Sequence, residues 1–98
     1  MEIKKDANGS DLDLVVSGRL DTTTAPQLES VLKDSLNGVS SLAFDFSNLE
    51  YISSAGLRVL LSAQKTMNKQ GKMVIRHANS VVMEVFEVTG FTDILTIE

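Results

Sequence analysis

Cysteine is absent from the 98 residues, which removes any disulfide framework, Cys-based zinc site or thiol nucleophile. The one histidine, His77, leaves His-rich metal sites and two-histidine carriers without ligands. Positive charge is short as well: nine Lys+Arg face thirteen Asp+Glu, for a net −4. Sequence-independent nucleic-acid binding needs clustered cations, and none cluster here. No apolar run approaches the ~18 residues of a membrane span. The opening Met-Glu-Ile-Lys-Lys-Asp lacks the apolar stretch of a signal peptide. A soluble, cytoplasmic protein with no membrane insertion is expected. Aromatics are few (Phe44, Phe46, Tyr51, Phe86, Phe91), so Val, Leu and Ile must build the core. A domain this small has little volume to spare for a substrate cavity. It works through its surface.

What is present is ordinary globular composition, 43% hydrophobic and 22% charged, with no internal repeat and no Pro/Gly/Ser-rich linker. One domain spanning 1–98 is expected. Ile3–Lys5 and Leu12–Val16 read as strands around Asn8-Gly9, a strong two-residue hairpin signal. Asp21-Thr22-Thr23-Thr24 offers helix caps, and Pro26 suits a first helical turn. Leu28, Val31, Leu32 and Leu36 then recur on one helical face, until Asn37-Gly38 stops the helix.

Leu42–Phe46 is a short, mostly apolar run that suits a central strand. A second helix starts at Ser53 or Ser54, either able to cap it. It carries Leu57, Leu60 and Leu61 inward, runs to about Asn68 and closes at Gly71. Lys72–Arg76 is a further strand. Asn79 or Ser80 caps a third helix with Val82, Val85 and Phe86 inward, ended by Gly90, and Ile94–Ile97 forms a last short strand or turn. The order β-β-α-β-α-β-α, with a possible final β, predicts an α/β fold. About three helices pack on a sheet of four or five strands, parallel after the opening hairpin. The helix residues above should bury against Phe44 and Val74.

Catalysis finds no foothold. Asp21, Asp45 and Glu50 read as solvated or capping carboxylates. Ser53 and Ser54 lie between strand and helix, as a hydrolase nucleophile does, but the Gly-x-Ser-x-Gly elbow is missing: Tyr51 and Ile52 stand where its first glycine would. His77 has Arg76 and a helix start nearby, yet no feature ties it to the serines. No Walker A loop or dinucleotide fingerprint occurs, so no cofactor and no metal are expected. Lys65, Lys69 and Lys72 are the polar side of one helix and its exit. What stands out is a pair of hydroxyls at one helix start, where one serine caps and the other is spare, and helix N-termini favour anions.

The block from Asp45 to Leu61, with Tyr51-Ile52-Ser53-Ser54-Ala55-Gly56-Leu57-Arg58 at its centre, resembles the signature of STAS-domain proteins, specifically bacterial anti-sigma factor antagonists. Gly18-Arg19-Leu20-Asp21 with Thr24-Ala25 is similar to a second family segment, and Val85–Phe91 to a third. The resemblance implies a STAS fold and a non-enzymatic module that binds an anti-sigma factor with serine kinase activity, releasing a sigma factor. It also implies that the kinase phosphorylates a serine at the start of the second helix, two residues before Gly56, and that a serine phosphatase resets it. Ser54 matches that acceptor and Asp21 an acidic neighbour. The partner-binding set implied is Asp21, Thr22, Ser53, Ser54, Ala55, Gly56, Leu57 and Arg58, on a monomer. Two departures stand out. Ser53 occupies a position that is Asp in many members, leaving it a rival acceptor. Arg58 replaces a glycine four residues after Ser54, where it can reach a phosphate. The alternative within the family is a subunit or regulator of a membrane transport system without phospho-switching.

Overall fold

In the computed structural model, which describes residues 1–98, a ten-residue strand organises the sheet. β1 (Glu2–Asn8) and β2 (Asp11–Leu20) form the opening hairpin. Asn8 pairs with Asp11, so the turn residues are Gly9-Ser10 and not Asn8-Gly9. Gly9 has φ +63° while Ser10 stays out of the left-handed region. That places the required glycine at the first turn position, as in the II′ family of hairpin loops.

β2 pairs β1 along one edge and β3 (Ser41–Asp45) in parallel over Asp11–Val15. Its C-terminal end pairs in parallel with β4 (Leu49–Ile52), after a register shift at Gly18/Arg19. β5 (Lys72–Arg76) extends the sheet beyond β3 to give the order β1-β2-β3-β5. The expected α/β layering and hairpin hold. β4 is the strand that periodicity missed, because Leu49-Glu50-Tyr51-Ile52 is too short to show a period. The possible final strand shrinks to a single bridge, Ile97 beside Ile75.

Three helices cover the sheet. α1 (Ala25–Ser35) buries Ala25, Leu28 and Leu32 with Leu36 just beyond, and carries Pro26 in its first turn. α2 (Ser54–Gln70) runs two residues past the expected end and buries Leu57, Val59, Leu60, Ala63 and Met67. α3 (Ser80–Thr89) buries Val82 and Phe86. Of the residues expected inside, Val31, Leu61, Val74 and Val85 are only half-buried. A helix lying on a twisted sheet hides a narrow stripe, and Val31, Leu61 and Val85 sit at its margin. Val74 alternates along β5 with buried Met73 and Ile75 and so faces the other side of the sheet. Val59 and Ala63 belong inside because α1 and α2 also pack on each other. Phe44 and Phe46 meet at 5.5 Å between ring centroids in the middle of the core.

Candidate functional site

Strand pairing builds the site. Leu20 and Ile52 are partners at the ends of β2 and β4, and Ser53 N–H donates to the Leu20 carbonyl at 2.9 Å. The β2–α1 turn and the start of α2, 32 residues apart in sequence, therefore emerge side by side with Asp21 next to Ser53.

The turn is held by its own side chains. The Asp21 carboxylate accepts the N–H groups of Thr23 (3.0 Å) and Thr24 (3.1 Å), and Asp21 N–H donates to Thr24 Oγ1 at 2.9 Å. Thr24 in turn donates its hydroxyl to the Arg19 carbonyl at 2.8 Å. These bonds to the ionised carboxylate, first from Thr24 and then from Thr23, hold the Asp21 carboxyl below its usual 3.8, with nearby Arg19 adding a little. Asp21 and the threonines cap α1 less directly than expected: Thr24 is the N-cap residue, but no side chain bonds the helix's first N–H groups.

Arg19 lies 4.5 Å from the Tyr51 ring centroid and 3.8 Å from Asp21 Oδ2. Cation–π attraction and a weak, exposed ion pair thus fix one flank of the site. Arg19 and Tyr51 are register partners on β2 and β4. Once Leu49–Ile52 is recognised as a strand, that pairing becomes visible; without it, neither residue suggests the other.

The start of α2 departs from the expectation that one serine caps the helix. Ser53 is the N-cap residue by backbone geometry, and its carbonyl accepts the first helical bond from Leu57 at 3.0 Å. Its hydroxyl caps nothing. Ser53 Oγ is shut away from solvent and makes no hydrogen bond, while Ser54 is exposed at the first helical position. Gly56 is the cause of the close seating. A Cβ there would come within 2.7 Å of Leu20 Cγ and 2.9 Å of Ile52 Cγ1, so only glycine lets the first turn rest on the sheet end.

The expected partner-binding residues therefore divide. Thr22, Ser54 and Arg58 are exposed, Asp21, Ser53 and Ala55 are half-buried, and Gly56 and Leu57 are buried. The last two position the helix and offer no side chain to a partner. Chemically, the site presents one free hydroxyl at the positive end of a 17-residue helix. No acidic residue lies in the first turn, and Arg58 follows one turn later in no ion pair. Asp45, a carboxylate considered for catalysis, is engaged by Ser47 N–H at 2.9 Å, which lowers its pKa first of all. No group of three or more His, Asp or Glu side chains is arranged to hold a metal. A depression of about 510 Å³ between α1 and α2 contains none of the candidate residues.

The STAS domain model matches residues 2–98, and the chain belongs to the STAS domain family. A protein of Bordetella bronchiseptica named as the anti-sigma factor antagonist BtrV is 34% identical over 99 residues, covering 99% of this chain and 85% of that one. The anti-sigma-B factor antagonist of Listeria monocytogenes is 29% identical over 97 residues, covering 96% and 84%. Among solved structures, the anti-sigma factor antagonist SpoIIAA in its unphosphorylated form superposes with a TM-score of 0.77 at 13% identity, covering 99% and 87%. An anti-sigma factor antagonist from Mycobacterium paratuberculosis superposes with a TM-score of 0.88 at 21% identity, covering 98% and 83%. The α/β architecture, with β4 paired to the end of β2, is thus the STAS fold. No helix is long and apolar enough to cross a membrane.

Proposed function

We propose that the chain is an anti-sigma factor antagonist, a non-enzymatic binding module that engages an anti-sigma factor through the surface around Ser54. In this reading the partner carries serine kinase activity, Ser54 is its target, and a phosphatase restores the unmodified form. End-to-end similarity to relatives named as anti-sigma factor antagonists supports the binding role. The observation that carries the switch is the contrast between the two hydroxyls: Ser54 is accessible, whereas Ser53 Oγ is enclosed. A kinase must reach its acceptor oxygen, which favours Ser54 over Ser53. The surface offered to the partner narrows to Asp21, Thr22, Ser54, Ala55 and Arg58.

Phosphate adds about −1.5 to −2 charges at a helix N-terminus, where negative charge is tolerated. The antagonist itself then stays folded, and release arises at the interface. A like charge ~5 Å away at an effective dielectric near 20 costs roughly 3 kcal/mol, on the order of 100-fold in affinity. The test is binding of purified anti-sigma factor to Ser54→Asp and Ser54→Ala by calorimetry, with phosphopeptide mapping after incubation with ATP. Ser54→Asp should bind on the order of 100-fold more weakly, or less so in high salt, with a melting temperature within a few degrees of the parent. Ser54→Ala should bind normally and take up no label. Phosphate on Ser53, or tight binding by Ser54→Asp, overturns the switch.

A further inference from the structure

The net charge of the chain is not spread over it. Residues 1–77 hold nine Lys+Arg and nine Asp+Glu, whereas residues 78–98 hold Glu84, Glu87, Asp93 and Glu98 and no cation at all. The whole −4 therefore belongs to α3 and the segment after it. Glu98 is engaged by Arg76 at 2.9 Å, and the remaining ion pair joins Arg19 to Asp21. Glu84, Glu87 and Asp93 have no cationic partner.

The same segment carries the molecule's exposed large apolar side chains: Val81 is 51% exposed, Val88 81% and Ile94 44%. Val81, half-buried Val85 and Val88 are spaced i, i+4 and i+7, one face of α3 beside its core stripe of Val82 and Phe86. Glu84 lies on the edge of that face, and Glu87 is further round the helix. Val85 packs against the core, but valine is a poor helix former, and at exposed Val81 and Val88 little packing offsets this. Fold stability gives no reason for it.

We propose that this face of α3 is a docking surface for a protein partner that presents an apolar strip bordered by Lys and Arg. Charge complementarity selects that occupant. A second copy of this chain would set Glu84, Glu87 and Asp93 against their own equivalents, and like charges across an interface disfavour pairing. An anionic lipid surface is repelled for the same reason. A basic amphipathic helix satisfies both halves of the surface, with its apolar side on the valines and its cations on the free carboxylates. This docking needs neither a kinase nor Ser54, so it stands or falls separately from the phospho-switch.

The probe is a synthetic Leu/Lys amphipathic helical peptide, with a Leu/Glu peptide as its control, titrated into the isotope-labelled full chain and followed by amide chemical shifts. Shifts should concentrate in α3 and Phe91–Ile94, appear with the basic peptide only, and weaken with salt. Val88→Glu should bind the peptide at least about tenfold more weakly although it adds a favourable charge, because the apolar contact is lost. Its melting curve should match the parent, since that side chain is almost fully exposed. Glu84→Gln with Glu87→Gln should weaken binding and flatten the salt dependence. Shifts centred instead on Asp6, Asp11 and Asp13, or Val88→Glu binding as tightly as the parent, would show charge attraction alone and overturn the proposal. So would sedimentation revealing a dimer that Val88→Glu dissolves, since a second copy would then occupy the face.

Discussion

Two helices of this protein follow a strand and begin at residues suited to capping, yet they begin in opposite ways. At the start of α3, Asn79 Oδ1 accepts the Val82 N–H at 2.9 Å while its amide nitrogen donates to the Leu49 carbonyl at 2.7 Å. One side chain thus closes the helix end and ties it to β4. At the start of α2, Ser53 has the extended backbone of a cap residue, but its hydroxyl is enclosed and unpaired, and the first turn has no side-chain cap. The α3 start is built for stability. The α2 start leaves its positive end and the neighbouring Ser54 hydroxyl open, as the proposed binding role requires, and its attachment comes from the close seating at Gly56.

That comparison sharpens most at Asn79. Asn79→Ala removes the cap and strands the Leu49 carbonyl, costing about 2 kcal/mol in a denaturant titration. For a domain of this size the melting temperature should fall by about 10 °C. A loss of only a few tenths of a kcal/mol would remove the contrast between the two helix starts.

Gly56→Ala comes next. The new methyl must push Leu20 and Ile52 apart, an overpacking cost of about 1–3 kcal/mol, partly offset by alanine's better helix propensity of ~1 kcal/mol. A net destabilisation of about 1 kcal/mol is expected, with amide shifts centred on Leu20, Ile52 and the first turn of α2. A stabilised variant would mean that the first turn does not depend on close contact with the sheet.

Ser53→Ala should change stability by less than ~0.5 kcal/mol, and in the stabilising direction, because it deletes an enclosed hydroxyl that makes no hydrogen bond. A loss near 1 kcal/mol would show that Ser53 caps α2 in solution after all. The smallest effect belongs to Asp21→Asn, which keeps an oxygen for the Thr23 and Thr24 N–H groups but cannot ionise. The folded carboxyl titrates below its usual 3.8, so its contribution is present above that value and lost as pH falls through the lower folded value. Asp21→Asn should therefore show a shallower loss of stability than the parent below about pH 4, and the two should run parallel at neutral pH. Acid limbs of equal slope would argue against the hydrogen-bonded turn.

Legibility followed the strength of the local pattern. Gly90 ends α3 as expected and Asn79, one of the two expected caps, starts it, since a cap side chain and a left-handed C-terminal glycine act through bonds within a few residues. The hairpin was visible, but its turn sat one residue later, because register depends on which faces of β1 and β2 are covered. β4 was missed: four residues carry no period, and what makes them a strand is their pairing with the far end of β2. The site was half legible. Its two segments, Asp21–Thr24 and Ser53–Arg58, were visible as cap-rich starts of helices. Their adjacency, the clasp of Arg19 on Tyr51 and the close seating of Gly56 on Leu20 and Ile52 all depend on β4.

By itself, the sequence determined the elements that local chemistry controls: the hairpin, three amphipathic helices, their glycine stops, and the absence of thiol, phosphate-loop and cationic surfaces. It also concentrated the net negative charge in the last 21 residues. Only the tertiary structure decided which of two adjacent serines is reachable. The same residue type in the same dipeptide becomes an enclosed, unpaired hydroxyl at 53 and an exposed one at 54, because the helix is drawn down onto the ends of β2 and β4 at Gly56. Propensity acts on a few neighbouring residues, whereas accessibility is set by whatever packs against them from elsewhere in the chain.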